Sequence, residues 1–109
     1  MDETEKREKA WVGDAVLALF ARQWLLANPE VKPGERKALF IDMTSNRFLS
    51  SMGEPTQMEA NIGVVYEEAG LEKAFSFIEE NFLPVFKQQQ ANRKKAEPKL
   101  GQRRRKRKA

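Results

Sequence analysis

Hydrophobic and polar residues alternate with helical spacing along most of the chain, and the pattern is strongest in an apolar segment from Ala10 to Leu26. Apolar residues recur there every three or four positions on two adjacent faces. This pattern predicts one central helix that is buried inside a domain. The polar residues 1–8 are expected to form only a frayed first turn. The helix should end near Asn28-Pro29, because a residue that precedes proline is disfavoured in the α region.

A loop and a second helix are predicted to follow the central helix. Residues 28–35 contain two prolines and a glycine, which is the composition of a loop. Residues 35–52 again show apolar side chains at helical spacing and predict a helix. This second helix should loosen near Ser45-Asn46, because both side chains compete for backbone hydrogen bonds.

Two more helices complete the predicted fold. The third covers residues 55–69 and should be stopped by Gly70, since glycine is the preferred residue just after a helix. The fourth begins at Leu71 and should be kinked or ended by Pro84. No segment shows the alternation of a strand, and no repeat is visible. The sequence therefore predicts a compact all-α helical bundle.

The charge of the chain is divided unevenly. Residues 87–109 hold eleven basic residues and one acidic residue, a net charge of +10, whereas residues 1–86 carry nine basic and fifteen acidic residues, a net charge of −6. We therefore predict a helical domain at 1–86 and a basic tail at 87–109, whose end should be disordered in the free protein. Tails of this kind usually contact polyanions, most commonly nucleic acid.

The composition limits the chemistry that the protein can perform. The chain has no cysteine and no histidine, which removes disulfides, zinc–thiolate sites and every catalytic role of the imidazole ring. Carboxylates, hydroxyls, Lys, Arg and a hard cation such as Mg²⁺ remain. No apolar run is judged long enough to span a membrane, and the acidic N-terminus is unlike a signal peptide. A soluble, cytoplasmic protein is the expectation.

Two carboxylates lack a basic neighbour within their own helices. The residues three and four positions from Asp14 are apolar, and those around Glu59 include no Lys or Arg. A buried carboxylate without a partner would protonate, find a distant cation or bind a metal. Asp14 could instead complement the helix dipole as an acid of the first turn, and both could be solvated helix-face acids. Together they are candidate ligands for one divalent cation between two helices.

Both acids lie in motifs that resemble a known family. The segment VGDAVL, which ends at Leu17, resembles the LGDAVL signature of the ribonuclease III domain. The segment EANIGVVY, which begins at Glu59, resembles the second motif of the family, EALIGAIY. Residues 45–49 and 68–84 resemble the segments that precede and follow this second motif. The resemblance covers nearly all of residues 10–86.

The chain departs from the larger family members at three acidic positions. Those proteins carry glutamates four and seven residues before the signature aspartate, where this chain has Ala10 and Arg7. They carry an aspartate three residues before the later glutamate, where this chain has Thr56. The compact Mini-III branch also has a small residue and a threonine at two of these positions, so the pattern is closer to Mini-III. The segment between the motifs is shorter than in Mini-III, and the residues before the signature are not expected to form the helix that usually precedes it.

The resemblance implies a homodimeric, all-helical, Mg²⁺-dependent endonuclease that cleaves double-stranded or structured RNA, such as precursor ribosomal RNA. Mn²⁺ could replace Mg²⁺. Asp14 and Glu59 would hold the metal and act as the catalytic residues. The tail would contact RNA phosphates. The residues predicted to make these contacts are Arg103, Arg104, Arg105, Lys106, Arg107 and Lys108.

Two other interpretations stay open. The chain could have the same fold without catalysis and serve as a double-stranded-RNA-binding or ribosome-associated protein. The loss of the auxiliary acids and the short middle segment favour this alternative, whereas Asp14 and Glu59 favour the enzyme. The resemblance could also be accidental, with the RRRKRK run serving as a nuclear-import or DNA-contact tail on a generic bundle.

Overall fold

The computed structural model describes the backbone of residues 1–108 and the side chains of residues 1–95. The described backbone is mostly helical and contains no strand, which confirms the all-α prediction. One turn of 3-10 helix lies at Pro33–Glu35. The α-helices are α1 (Glu3–Ala27), α2 (Arg36–Met43), α3 (Asn46–Ser50), α4 (Pro55–Ala69), α5 (Leu71–Asn81) and α6 (Leu83–Lys108).

Helix α1 begins earlier than the hydrophobic pattern predicts. The side chain of Asp2 accepts a hydrogen bond from the backbone N–H of Glu5 at 2.8 Å and thereby caps the first turn. Glu3 and Glu5 place negative charge in this turn, where the helix dipole is positive. The prediction of a frayed segment at residues 1–8 is therefore wrong. The predicted end is confirmed, since Asn28 is extended before Pro29.

The core forms where α1 packs against α4, α2 and α5, and buried residues of α3 and of the start of α6 complete it. Phe20 of α1 meets Phe75 of α5 edge to face, with ring centroids 5.4 Å apart. Phe48 of α3 meets Phe86 of α6 in the same way, at 5.5 Å. Both pairs belong to one continuous apolar cluster. The largest fully buried side chains are Leu17, Leu25, Leu49, Ile62 and Ile78.

The predicted helix at 35–52 is two shorter helices, α2 and α3. Ser45 causes the break, because its hydroxyl donates to the carbonyl of Asp42 at 2.8 Å and accepts from the N–H of Phe48 at 3.1 Å. These bonds end one helix and cap the next. The predicted loosening at Ser45-Asn46 is confirmed, and the prediction of one continuous helix is wrong.

The joints on both sides of α5 follow the predicted signals. Gly70 has φ +92°, a conformation that side chains with a Cβ rarely adopt, and it separates α4 from α5. Pro84 lies in the first turn of α6, where its missing N–H costs no hydrogen bond. Helix α6 then crosses residue 87 without a break. Its backbone is helical through Lys108, where composition predicts a disordered end.

Helix α1 is less enclosed than a central helix was expected to be. Trp11 is 80% exposed and Leu26 is 63% exposed, while Ala15 and Leu19 also face outward. The opposite face supplies seven buried residues to the core. The prediction that both apolar faces are buried is therefore wrong for this chain, because α4 and α5 cover only one of them.

Helix α1 is also long and apolar enough to span a bilayer when judged by length and mean hydropathy alone. The prediction that no apolar run reaches that length is therefore wrong. The central helix of a folded domain can satisfy the same criteria of length and hydropathy. Helix α1 is such a helix here, because it packs against α4 over an extensive contact.

Candidate active site

Asp14 and Glu59 come together at the interface between α1 and α4. Their carboxyl groups lie within hydrogen-bonding reach of each other. The two residues are 45 positions apart in the sequence, so only the packing of the two helices makes them neighbours. The structure therefore unites the two acids that the sequence singled out.

Two glycines allow the close approach that this pairing needs. A Cβ built on Gly13 would lie 2.9 Å from the amide nitrogen of Gly63 and closer still to the carbonyl oxygen of Glu59. A Cβ on Gly63 would collide with the carbonyl of Lys9 in the same way. The backbones of α1 and α4 are thus in direct contact, one residue before Asp14 and at Glu59 itself.

The two carboxyl groups differ in their exposure to solvent. Asp14 is exposed, whereas Glu59 is half-buried. Of the alternatives that the sequence left open for Asp14, a buried acid among apolar neighbours is contradicted, because Asp14 and its neighbours Trp11 and Ala15 lie on the uncovered side of α1. A carboxylate that is open to solvent on one side can exchange water for a metal ion without unfolding the domain.

The electrostatics of the pair favour a positive charge between the two groups. Burial is the largest cause that raises the pKa of Glu59 from 4.5 to about 7, and the hydrogen bond with Asp14 and the negative charges of Asp14 and Glu54 contribute to the same rise. Two carboxylates at this separation repel each other when both are ionised. A bound cation would remove this repulsion.

The two lysines in the first turns of α1 form ion pairs with acids other than Asp14 and Glu59. Lys6 pairs with Glu54 at 3.1 Å and with Glu3 at 3.3 Å, and Lys9 pairs with Glu67. The hydrogen bond to Glu54 is the main reason that the pKa of Lys6 is raised. Within residues 1–95, no Lys or Arg forms an ion pair with Asp14 or Glu59. The side chains that the structure describes therefore supply no cation to the acid pair.

Glu54 is a residue of this region that the sequence analysis missed. One of its oxygens accepts from the N–H of Gln57 at 3.0 Å and caps α4, and the other receives Lys6. The backbone bond from Gln57 is the largest reason that the pKa of Glu54 is lowered. Its position directly before Pro55, a favoured first residue of a helix, was the available sequence signal. Glu54 joins the start of α4 to α1.

The side chains present fit a divalent cation held by two ligands. Mg²⁺ accepts one or two carboxylates and completes its shell with water and substrate phosphates. No group of three or more potential ligands occurs among the residues that the structure describes. The larger members of the ribonuclease III family carry acids at three positions where this chain has other residues. Of these residues, Ala10 is buried, Thr56 is half-buried and Arg7 is exposed. The donor set is therefore Asp14 and Glu59 alone.

A concavity of about 740 Å³ lies elsewhere, between the end of α1, the loop that follows it and α6. Trp24, Leu39 and Phe86 line it, and it contains neither member of the acid pair. The side chains of the predicted RNA-binding residues Arg103 to Lys108 lie outside the part that the structure describes.

No protein-family model matches the chain, and comparisons with curated proteins and with solved structures find no significant match. The sequence motifs and the geometry of the acid pair therefore carry the functional argument by themselves.

Proposed function

We propose that the protein is a divalent-metal-dependent endoribonuclease of the ribonuclease III type, closest to the Mini-III branch, and that it cleaves double-stranded or structured RNA. One observation carries the proposal: Asp14 and Glu59, each from a separate motif that resembles this family, meet across a glycine-lined helix contact, and no described residue forms an ion pair with either of them. A structural ion pair would use one acid and one base. Two acids held together are typical of a metal site.

In this function Asp14 and Glu59 would hold Mg²⁺, which would supply an activated water and a positive charge opposite the phosphate. Asp14 is the solvent-exposed ligand and faces the approaching RNA. Glu59 is the half-buried ligand, and it must lose its proton before it can coordinate a metal. The Lys6–Glu54 ion pair and the Gly13–Gly63 contact hold α1 against α4 beside the two carboxyl groups. No covalent intermediate is needed, which suits a chain without cysteine or histidine.

The proposed active form is a homodimer that pairs through the exposed apolar face of α1. Trp11, Ala15, Leu19 and Leu26 recur at helical spacing on this face. Large apolar side chains that form one exposed stripe commonly mark an association surface. Asp14 lies at the edge of this stripe, so a symmetric pairing would bring two acid pairs to one duplex, one for each strand.

The basic segment that follows residue 86 would hold the RNA. Within the described part, Arg93 pairs with Asp42 at 2.8 Å and Gln89 donates to the hydroxyl of Ser51 at 2.9 Å. These contacts attach α6 to α2 and to the residue that follows α3. Lysine and arginine contacts to phosphates supply affinity without reading sequence. A cytoplasmic location and a ribosomal RNA precursor as substrate are parts of this proposal.

The second candidate function is double-stranded-RNA or ribosome binding without catalysis. The small donor set favours it, because no third acidic ligand accompanies Asp14 and Glu59 in the described part of the chain. The two candidates make different predictions for the same experiment.

The test is cleavage of a defined RNA duplex with Mg²⁺, with Mn²⁺ and with EDTA. We expect cleavage with either metal and none with EDTA. Asp14→Asn and Glu59→Gln should each abolish cleavage while they leave RNA binding unchanged. Glu79→Gln is the matched control, since Glu79 is exposed on α5 and away from the pair. RNA binding without any metal-dependent cleavage would favour the non-catalytic candidate, and full activity of either site variant would contradict the metal assignment.

A further inference from the structure

Three basic residues lie in the first turns of α1, and one of them differs from the others. Lys6 and Lys9 are half-buried and form ion pairs with acids of α4. Arg7 is exposed and makes no hydrogen bond or ion pair with any residue that the structure describes. Its guanidinium group is therefore available to a ligand, whereas the two lysines brace the helix interface.

Helix geometry places Arg7 on the same face as Asp14. Asp14 follows Arg7 by seven residues, which is about 20° short of two full helical turns. The two side chains therefore leave α1 in nearly the same direction, roughly 10 Å apart along its axis. Both lie between the face that α4 covers and the exposed apolar stripe. A polyanion that reaches the acid pair along α1 would therefore pass over Arg7.

We propose that Arg7 binds a backbone phosphate of the RNA duplex, close to the acid pair on α1. The inference rests on the proposed function for the nature of the polyanion. Guanidinium binds phosphate through two parallel N–H donors, and it remains charged at every physiological pH. The contact also supplies positive charge on a surface that two carboxylates would otherwise make repulsive to RNA. Arg7 is a binding residue in this account and does not hold the metal.

Substitutions of Arg7 distinguish a specific phosphate contact by its guanidinium group from a nonspecific effect of net positive charge on RNA binding. Arg7→Gln removes the cation, and Arg7→Lys keeps the charge but loses the paired donors. Arg47→Gln is the matched control, because Arg47 is exposed on α3 and forms no ion pair within the described residues. Thermal unfolding of each variant shows whether the fold is retained.

The experiment measures the affinity of the full-length protein for a blunt RNA duplex at several KCl concentrations, with EDTA present so that no cleavage occurs. Arg7→Gln should weaken binding about tenfold and lower the slope of log K against log salt by about one, as expected for one lost phosphate contact. Arg7→Lys should retain most of the slope, and Arg47→Gln should match the unaltered protein. In Mg²⁺, Arg7→Gln should raise KM and leave kcat within about twofold.

Equal affinities and salt slopes for Arg7→Gln and Arg47→Gln would overturn the inference, and a protein that binds no duplex would overturn it as well. Failure of the proposed function has a different signature. If RNA binding depends on Arg7 but no metal supports cleavage, the phosphate contact of Arg7 is supported and the assignment as an endonuclease is contradicted. If the protein cleaves RNA and Arg7→Gln has no effect on KM or affinity, only the inference falls.

Discussion

Gly13 of α1 and Gly63 of α4 lie against the backbone of each other's helix, and the contact leaves no space for a Cβ atom at either position. Asp14 follows the first glycine directly, and Glu59 lies one helical turn before the second. The separation of the two backbones beside the acid pair is therefore set by direct contact between the helices.

Replacement of either glycine should disturb stability and activity together. In Gly13→Ala the new methyl group would overlap the carbonyl of Glu59 and force α1 away from α4. We expect the free energy of unfolding to fall by about 1–3 kcal/mol, which is the usual range for overpacking, and cleavage to fall with it. Gly34→Ala is the matched control, since a Cβ there meets no atom within 4 Å. Urea unfolding of both variants is the measurement, and equal stability of the two would contradict the close contact.

Stability should depend on pH through Glu59. Its pKa is raised from 4.5 to about 7 in the folded protein, so the folded state binds more protons than the unfolded state between these values. The free energy of unfolding should therefore fall as the pH rises from about 4.5 to 7. The contribution should be on the order of 1 kcal/mol, because the group is only half-buried and solvent screens it.

Urea unfolding of the unaltered protein and of Glu59→Gln at pH 5 and pH 8 measures this contribution. The glutamine variant should gain stability relative to the unaltered protein at pH 8 and lose that advantage at pH 5. Mg²⁺ should stabilise the unaltered protein more at pH 8, where protons no longer compete for Glu59. If the unaltered protein and Glu59→Gln differ in stability by the same amount at pH 5 and pH 8, repulsion between Asp14 and Glu59 does not contribute to stability.

The exposed stripe of α1 predicts the oligomeric state. The unaltered protein should sediment at twice the mass of its 12.6 kDa chain at micromolar concentration. Trp11→Glu should shift it to monomer, because a carboxylate in an apolar interface loses its hydration. Leu71→Glu is the control, since Leu71 is partly exposed at the start of α5 and outside the stripe. Sedimentation of the unaltered protein as a monomer would contradict the proposed dimer.

Removal of the end of the chain should weaken RNA binding without a change in specificity. Deletion of residues 101–109 removes six positive charges. We expect lower affinity for every duplex and a smaller salt dependence, because fewer condensed counterions are released on binding. Turnover at saturating RNA should change little. Titrations of two unrelated duplexes at several salt concentrations measure both effects. Identical salt slopes for the full-length and truncated proteins would show that this segment makes no phosphate contacts.

The sequence predicted the features of the fold that depend on local chemistry. Gly70 and Pro84 mark helix boundaries through their own backbone properties, and the structure places boundaries at both. The start of α1 was missed because the cap by Asp2 outweighs the polar character of the segment that follows it. The break at Ser45 was recognised as a weak point only, since its two hydrogen bonds depend on how the chain turns there.

The sequence predicted which residues form the site, but it did not predict their solvent exposure or the raised pKa of Glu59. Asp14 and Glu59 stood out because each lacked a basic neighbour within its own helix. The exposure of Asp14, the half-burial of Glu59 and the raised pKa that follows depend on which face of α1 is covered by α4. Helical spacing cannot distinguish the covered apolar face of α1 from the one that carries Trp11. The role of Glu54 likewise appears only when α4 is placed beside Lys6.

The location of bound Mn²⁺ in crystals of the protein, measured by anomalous diffraction, tests the central claim most directly. The account predicts a peak between α1 and α4, with oxygens of Asp14 and Glu59 at a coordination distance of about 2.0–2.2 Å. The peak should disappear in Glu59→Gln and remain in Glu79→Gln. Anomalous density that is absent from this interface, or that lies only at other surface acids such as Asp42, would contradict the assignment of Asp14 and Glu59 as a metal site.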